Sequence, residues 1–304
     1  MKQGTVFKVA GPSCQVEADG HTYTCSIRKK LKTASDKRTS PVVVGDQVRF
    51  SETSPDEGVI EEIGERQTRL SRVAPWAPGK EHVVVANMDQ VLIVMAAKDP
   101  PVKAGLIDRY IIASENGGLN SVICINKIDL VDEEEVSWVK DLYGGLGYPV
   151  LFTSAVEDMG IEELAGTLKD KKTVLAGQSG VGKSSLINRI QPGLGLRIQD
   201  IRVAARKGKH TTSWVTLLKM DIGGYVVDTP GIRELGLWDI REPDVAEFFR
   251  DIWEIGKGCH FSRCTHSHEP RCAVKAAVEQ GTLDERRYGS YLRILASSKE
   301  KQTR

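Results

Sequence analysis

Three glycines, a lysine and a serine hydroxyl stand at fixed intervals in Gly177-Gln178-Ser179-Gly180-Val181-Gly182-Lys183-Ser184. Glycines at this spacing let successive amide N–H groups turn toward phosphate oxygens, Lys183 adds positive charge, and the Ser184 hydroxyl can ligate Mg²⁺. The elements around the run fit that chemistry. Lys172–Ala176 reads as a buried strand feeding the loop, and Ser185 to Ile190 begins a helix whose N-terminus contributes partial positive charge. A plain Gly/Ser turn would join a strand to a helix without needing the lysine and the hydroxyl at these positions.

Two further motifs sit at strand ends. Asn126-Lys127-Ile128-Asp129 follows the apolar run Val122–Ile125, which presents it at the carboxyl edge of a sheet, where doubly wound folds bind ligands. A carboxylate there accepts from guanine N1–H and the 2-amino group, a donor pair that adenine lacks, so the base is read as guanine. Thr153-Ser154-Ala155, after the short strand from Pro149 to Phe152, resembles the loop whose backbone N–H meets guanine O6. Asp228-Thr229-Pro230-Gly231 follows Gly224–Val227; its Asp can hold Mg²⁺ through water, and the Gly231 N–H can meet a γ-phosphate that is lost on hydrolysis. Each tetrapeptide alone reads equally as a turn. Together, at strand ends of one region, they describe a single nucleotide site.

Their order is rotated. GTP-binding domains ordinarily begin with the phosphate loop and end near the guanine-reading motif, whereas here Asn126–Asp129 precedes Gly177–Ser184 and Asp228 follows both. The rotation implies a circularly permuted domain. It also implies that the chain after Asp228, which senses the γ-phosphate, leads directly into whatever is appended behind it.

The 304 residues exceed one typical domain, so two or three are expected. With 40% hydrophobic and 27% charged residues the composition is that of a soluble globular protein, and a net charge of +1 leaves any basic footprint local. Met1-Lys2-Gln3-Gly4-Thr5 has no apolar core behind it, and the longest apolar stretch, Val91 to Ala97, is too short to span a bilayer. The expected compartment is the cytoplasm. The six cysteines are therefore expected to be free or metal-bound rather than disulfide-linked.

Residues 1–72 alternate like five short strands with Gly-bearing turns (4–9, 14–17, 21–27, 42–50 and 58–63), the pattern of a small OB-type β-barrel. Its long connection carries Arg28, Lys29, Lys30, Lys32, Lys37 and Arg38, which serve either as a solvated surface or as phosphate contacts to RNA. Ser71–Gly79 is punctuated by Pro and Gly and reads as a linker. Strands and helices then alternate over 73–238, giving a parallel α/β P-loop domain with one antiparallel pair, and 239–304 reads helical, with Thr282-Leu283-Asp284-Glu285 as a capping box for the last helix. Within that helical module Cys259, Cys264, His266 and Cys272 offer three thiolates and one imidazole in a short polar loop, matching a closed structural zinc site with one ion; His260 and His268 are alternative ligands. Cys14, Cys25 and Cys124 lie in apolar strands and read as core.

On the barrel, the rotated motifs and the cysteine spacing, nearly the whole chain resembles the family of small ribosomal subunit biogenesis GTPases called RsgA, YjeQ or YloQ. The resemblance implies a cytoplasmic protein that binds the 30S subunit and its 16S rRNA late in maturation, hydrolyses GTP with Mg²⁺ much faster when bound there, and acts as an assembly checkpoint released after hydrolysis. Lys209-His210-Thr211-Thr212 resembles the family's switch I, which implies a threonine on Mg²⁺ (Thr211 or Thr212) beside Ser184 and Asp228, and His210 near the attacking water, with Lys183 and Gly231 completing the catalytic set. Nucleotide contacts are expected from Asn126, Lys127, Ile128, Asp129, Ser154, Ala155 and from Gly177 through Ser185. A monomer is expected.

Ile232 stands where Ras-like enzymes carry a water-positioning Gln, and Gly180 stands where many potassium-activated GTPases carry Asn. Slow intrinsic hydrolysis is therefore expected, with no potassium ligand of that type. An RNA-binding scaffold in which GTP is structural, or only a slow switch, remains the alternative to a subunit-stimulated enzyme. The guanine reading has its own test. Asp129→Asn should weaken GTP and GDP binding and favour xanthine nucleotides, whose 2-oxo group needs a donor; equal wild-type affinity for ATP and GTP in a competition titration would refute it.

Overall fold

The computed structural model describes residues 1–33, 41–74, 77, 80–194, 215–228 and 237–302. Five strands close the N-terminal barrel: β1 (Lys2–Ala10), β2 (Ser13–Ala18), β3 (His21–Ile27), β4 (Gln47–Ser54) and β5 (Glu57–Ile63), with a short helix α1 (Lys29–Thr33) after β3. β1 pairs antiparallel with β2 and β4, β2 with β3 and β4 with β5, and parallel pairing of β3 with β5 completes the ring. Alternation along each strand turns Val6, Val16, Cys25, Phe50 and Ile60 into the core, fully buried, with Cys14 beside them. The fourth strand starts later than its apolar pattern suggests. Gly45 has φ +90° and a Cβ there would fall 1.8 Å from the Ala86 carbonyl oxygen, so the chain turns at this point and Val42–Val44 precede the strand as buried packing segments.

A hairpin takes up both sides of the expected linker: β6 (Arg69–Val73) pairs antiparallel with β7 (Glu81–Ala86). The hairpin straddles the expected boundary after residue 72 and fixes the barrel to the central domain. Val44 bridges Val85, and the Asn87 side chain accepts from the Gln67 N–H at 2.9 Å and donates to the Gly45 carbonyl at 2.9 Å. Arg66 forks onto buried Asp46 with contacts of 2.7 and 2.8 Å.

The central sheet runs in the order β10 (Val150–Thr153), β9 (Asn120–Asn126), β8 (Gln90–Ala96), β11 (Lys172–Ala176), β13 (Tyr225–Asp228) and β12 (Thr216–Lys219). All neighbours are parallel except β12, which returns antiparallel to β13. Helices α4 (Ile161–Leu168) and α5 (Lys183–Ile190) cover one face through Leu164, Leu168, Leu186 and Ile187. Helices α2 (Ala104–Asn116) and α3 (Glu133–Val139) cover the other. The β12 edge is not left open: β1 of the barrel pairs with it antiparallel, Lys8 opposite Thr216, so barrel and domain share one continuous sheet.

The C-terminal module holds a 3₁₀ segment (Glu242–Phe248), α6 (Arg250–Gly256), α7 (Ala273–Glu279) and α8 (Glu285–Gln302). A plain N-cap two residues on replaces the expected capping box. Asp284 Oδ1 accepts from the Arg286 N–H at 2.7 Å, whereas the Thr282 hydroxyl donates to the Ala277 carbonyl at 3.0 Å and closes the preceding helix. α8 docks on α2 through a buried charged node. Arg287, wholly buried, meets Asp108 of α2 and Asp251 of α6, and its guanidinium lies 4.2 Å from the centre of the Phe249 ring. A π-helical turn (Lys140–Gly144) after α3 aims the Tyr143 hydroxyl into the node, 2.9 Å from Asp108 Oδ1. Arg287→Leu strands the buried carboxylate of Asp108 and the partly buried one of Asp251. It should destabilise the protein by about 3–5 kcal/mol, measured by urea unfolding; a loss under about 1 kcal/mol would show that water, not the arginine, satisfies them.

Candidate functional site

Parallel register brings the chemistry-bearing segments to one edge. Ala96 lies opposite Asn126, Asn126 opposite Thr153, and Leu175 opposite Asp228, so the chain leaves β9, β10, β11 and β13 on the same side of the sheet. The phosphate loop rises from β11 over this edge. Gly177 has φ +139° and a Cβ there would meet the Val94 carbonyl oxygen at 2.1 Å; Gly182, at φ +95°, would meet Asn126 Nδ2 at 2.2 Å. Glycine is required at both by conformation and by space. Val181 plugs the loop into the core, fully buried, while Ser179 and Gly180 are exposed and Gln178 is partly so. Lys183 Nζ donates to the Gly177 and Gln178 carbonyls at 2.9 and 2.8 Å, which holds the ammonium inside the curl of the loop. Ser184 is half-buried in the first turn of α5, with Ser185 exposed next to it.

Asn126 is the knot at the base end. Only 2% exposed, it donates from Nδ2 to the Val181 carbonyl at 2.8 Å and accepts from Thr153 Oγ1 at 3.3 Å, tying β9 to the phosphate loop and to β10. Lys127, at φ +64°, donates from Nζ to the Asp99 carbonyl at 2.5 Å. Ile128 packs on the core, and Asp129 presents its carboxylate to solvent from a 3₁₀ turn. Ser154 is buried: its N–H donates to the Met159 carbonyl at 3.0 Å and its hydroxyl accepts from the Glu157 N–H at 3.1 Å, which shapes the loop that presents half-buried Ala155. Arg189 of α5 ion-pairs with Asp158 of the same loop. Thr211, Thr212, His210, Gly231 and Ile232 lie outside the described residues, as do Lys37, Arg38, Arg197, Arg202, Arg206, Lys207 and Lys209; β13 is described to Asp228.

Sequence reading missed Tyr110. It follows the helical apolar period of α2 and so reads as core, and it is 1% exposed, yet its hydroxyl accepts a hydrogen bond from the Gly177 main chain. Burial pushes the phenol up to about 12 and Gly177 pulls it partly back. No spacing rule reveals such a contact, because its two ends are joined only by the sheet.

The second site is a cluster of Cys259, Cys264, His266 and Cys272, whose ligand atoms all lie within 4.8 Å of one another. Cys259 Sγ is 3.8 Å from Cys272 Sγ and 3.4 Å from His266 Nδ1, and Cys272 Sγ is 3.5 Å from that nitrogen. Tetrahedral ligands about 2.3 Å from zinc stand roughly 3.5–3.8 Å apart, so the four residues could hold a zinc ion. The surroundings fix them. Gly256 lets the imidazole approach, since a Cβ would sit 3.0 Å from Cε1 and Nε2, and the Ala273 N–H points at Cys259 Sγ at 3.3 Å. Tyr288 and Tyr291 hydroxyls donate to the His266 and Thr265 carbonyls at 2.6 and 2.8 Å. Burial raises Glu269, but hydrogen bonds from the Thr265 hydroxyl and from backbone N–H groups of the knuckle outweigh it and bring the carboxyl down to about 2. Burial, with Cys272 and Cys259 close by, lifts the Cys264 thiol up to about 12, so a thiolate there would need a cation beside it. His268 instead meets Ser267, and His260 meets the Phe261 ring edge-on.

With both sites in view, the sequence matches the family model for the RsgA GTPase over residues 63–238 and that for the RsgA N-terminal domain over residues 3–60. It is 41% identical over 281 residues to the small ribosomal subunit biogenesis GTPase RsgA of Thermotoga maritima, covering 91% of this chain and 90% of that protein. The RsgA of Alkaliphilus metalliredigens is 37% identical over 302 residues, covering 99% of each. The crystal structure of YjeQ from Thermotoga maritima superposes with a TM-score of 0.77 at 38% identity, covering 98% of each chain. That of YloQ, described as a circularly permuted GTPase, superposes with a TM-score of 0.73 at 31% identity, covering 99% of this chain and 96% of that one.

The cysteine cluster is open to a direct measurement. Native mass spectrometry of the full chain should find one zinc, contributing on the order of 10 kcal/mol at neutral pH. Cys264→Ser with Cys272→Ser should abolish it and unfold residues 239–302 while GTP affinity survives; a metal-free wild type with an equally protected module would remove the assignment.

Proposed function

Because this chain belongs to the RsgA family of GTPases, we propose that it hydrolyses GTP on the small ribosomal subunit as a late maturation checkpoint and leaves after hydrolysis. The observation that carries this reading is the shared edge of the sheet, where the phosphate loop, Asn126–Asp129, the Ser154–Ala155 loop and the end of β13 converge although the chain visits them in rotated order. Amides from Gln178 to Ser185 would cradle the phosphates, with Lys183 between them. Asp129 would read the guanine N1–H and 2-amino group, Ala155 its O6, and Asn126, turned inward, would hold phosphate loop and base loop at a fixed separation. Asp228 ends β13, the neighbour of β11, and Ser184 lies in the first turn of α5 beyond the loop that leaves β11, an arrangement that would suit Mg²⁺, which would neutralise the charge developing on the phosphates. Thr211 or Thr212 would join them, and Gly231 would sense the γ-phosphate.

His210 would orient the attacking water in place of the Gln that Ile232 displaces. Three modules, 1–72, 73–238 and 239–304, would divide the labour: barrel and helical module on 16S rRNA, the middle on nucleotide, with a structural zinc in the last. Among the described residues no helix is long and apolar enough to cross a membrane; a cytoplasmic monomer fits this role. Ile232 keeps a second reading in play, a scaffold in which GTP turnover is irrelevant. GTP turnover with and without 30S subunits distinguishes them. His210→Ala should bind GTP normally and lose stimulation by roughly 10² or more, the usual loss for a water-orienting group. Full stimulation in that variant moves the role elsewhere, and no stimulation in the wild type favours the scaffold.

A further inference from the structure

A groove of about 750 Å³ opens between the start of α2, α3 and the middle of α8, lined by the central domain and the helical module together. Its floor is apolar, with Leu106 and Ile294 and a wall formed by Trp138. Its rim is cationic: Lys103 and Arg109 come from the α2 side, Arg286 and Arg293 from α8. Arg286 lies 4.5 Å from the Trp138 ring centre and holds Asp284 at 3.2 Å, so it frames the wall. Glu135 is the acidic lining residue, and its carboxylate accepts from the Asp132 N–H at 3.1 Å as the cap of α3.

Two observations point to a ligand here. The 13-residue helix α2 starts at the groove with no side-chain cap from Lys103 and no acid in its first turn, and Arg293 lies across that start, Nη2 3.2 Å from where a Gly105 Cβ would stand. Independently, the exposed side chains of Lys103 and Arg293 flank that start, whereas buried Ser290 turns its hydroxyl toward Asp108 of the ionic node. A cationic rim and a positive helix end over an apolar floor with a tryptophan wall suit a molecule with an anionic part and a flat apolar part, and the volume falls in the range of small-ligand pockets, about 300–1,000 Å³.

We propose that this groove seats one unpaired nucleotide of an RNA strand, its base against Leu106, Ile294 and Trp138 and its phosphate between Lys103, Arg293 and the first amides of α2. Aromatic and arginine planes are what single-stranded RNA uses for its splayed bases, and cations for its backbone. The inference rests on the small-subunit reading only for the source of the RNA. Because both modules line the groove, an RNA strand there would be gripped only while the helical module is docked on α2.

The test uses the full chain with Lys103→Gln and Arg293→Gln, two exposed rim substitutions outside the GTP machinery, so GTP affinity and unstimulated turnover should not change. Affinity for 30S subunits should drop about ten-fold near physiological salt, and the dependence of log K on log salt should flatten by about 1.5, the share of two phosphate contacts. Trp138 fluorescence, isolated by subtracting Trp138→Phe, should respond to a short oligouridylate in the wild type and not in the double variant. An equal, variant-sensitive response to UMP alone would make this a free-nucleotide site and overturn the RNA assignment. Weakened subunit binding with no oligouridylate response would assign the groove to a ribosomal protein and overturn it too, as would an unchanged salt slope. A wild type that never binds subunits sinks the functional reading, while the oligouridylate titration still decides the groove.

Discussion

Parallel pairing of β11 with β8 on one side and β13 on the other is the constraint on which the rest depends. It forces the phosphate loop, the Asn126–Asp129 turn and the end of β13 to leave the sheet on the same side, whatever the order in which the chain visits them. Circular permutation is tolerated for that reason: the site is a property of the edge, and the edge is set by hydrogen-bond register rather than by sequence order. What the rotation changes is where the new ends emerge. One end is stitched through β1 to β12, the strand after residues 195–214, and the other runs past Leu237, buried, and Trp238, whose carbonyl accepts from Asn116 of α2 at 3.0 Å.

Both attachments are closed by buried charge. Arg66 on Asp46 pins the barrel at its turn, and Arg287 between Asp108 and Asp251 pins the helical module on α2. A hydrophobic seam of equal size would hold as tightly, because desolvating ions costs about what their pairing returns. Charge adds geometry. An arginine held between two carboxylates, as Arg287 is through Nε and Nη1, favours one relative placement and penalises others, since a shift leaves a buried ion unpaired. In the same helix, Asp108 faces the module and Tyr110 reaches the main chain of Gly177, so α2 carries the position of the module to the first residue of the phosphate loop.

The architecture is legible where local signals agree. β11 and α5 fall on their expected residues, Lys172–Ala176 and Lys183–Ile190, since an apolar run, a glycine loop and a helical period all point one way there. The cysteine cluster is legible because ligand spacing is local. Three features escape. The β6–β7 hairpin is hidden because Ser71–Gly79, punctuated by Pro and Gly, reads as a linker when the pairing partner is not yet known. The cap of α8 moves from Thr282 to Asp284 because Thr282 is drawn into closing α7, a competition invisible in a four-residue pattern. The inward contacts of Asn126, expected only as a nucleotide contact, escape because its partners Val181 and Thr153 come from the loop after β11 and the end of β10. Contacts between distant segments are set by the fold, and a single sequence states only half of each.

The helical module explains why a metal cluster and a buried ionic node coexist in so short a stretch. Its helices α6 and α7 have 7 residues each, too few to be stable alone, and the knuckle from Cys259 to Cys272 has no regular structure to hold it. Tyr291 joins the two devices: its hydroxyl donates to the Thr265 carbonyl beside the metal ligands, and its ring packs edge-on against Phe249, over which Arg287 lies. A metal bound at the knuckle would therefore set the seat of Tyr291, Tyr291 that of Phe249, and Phe249 with Asp251 that of the arginine that grips α2. Such a metal would order more than its own loop, because Tyr291 is one wall of the face that docks on the nucleotide domain.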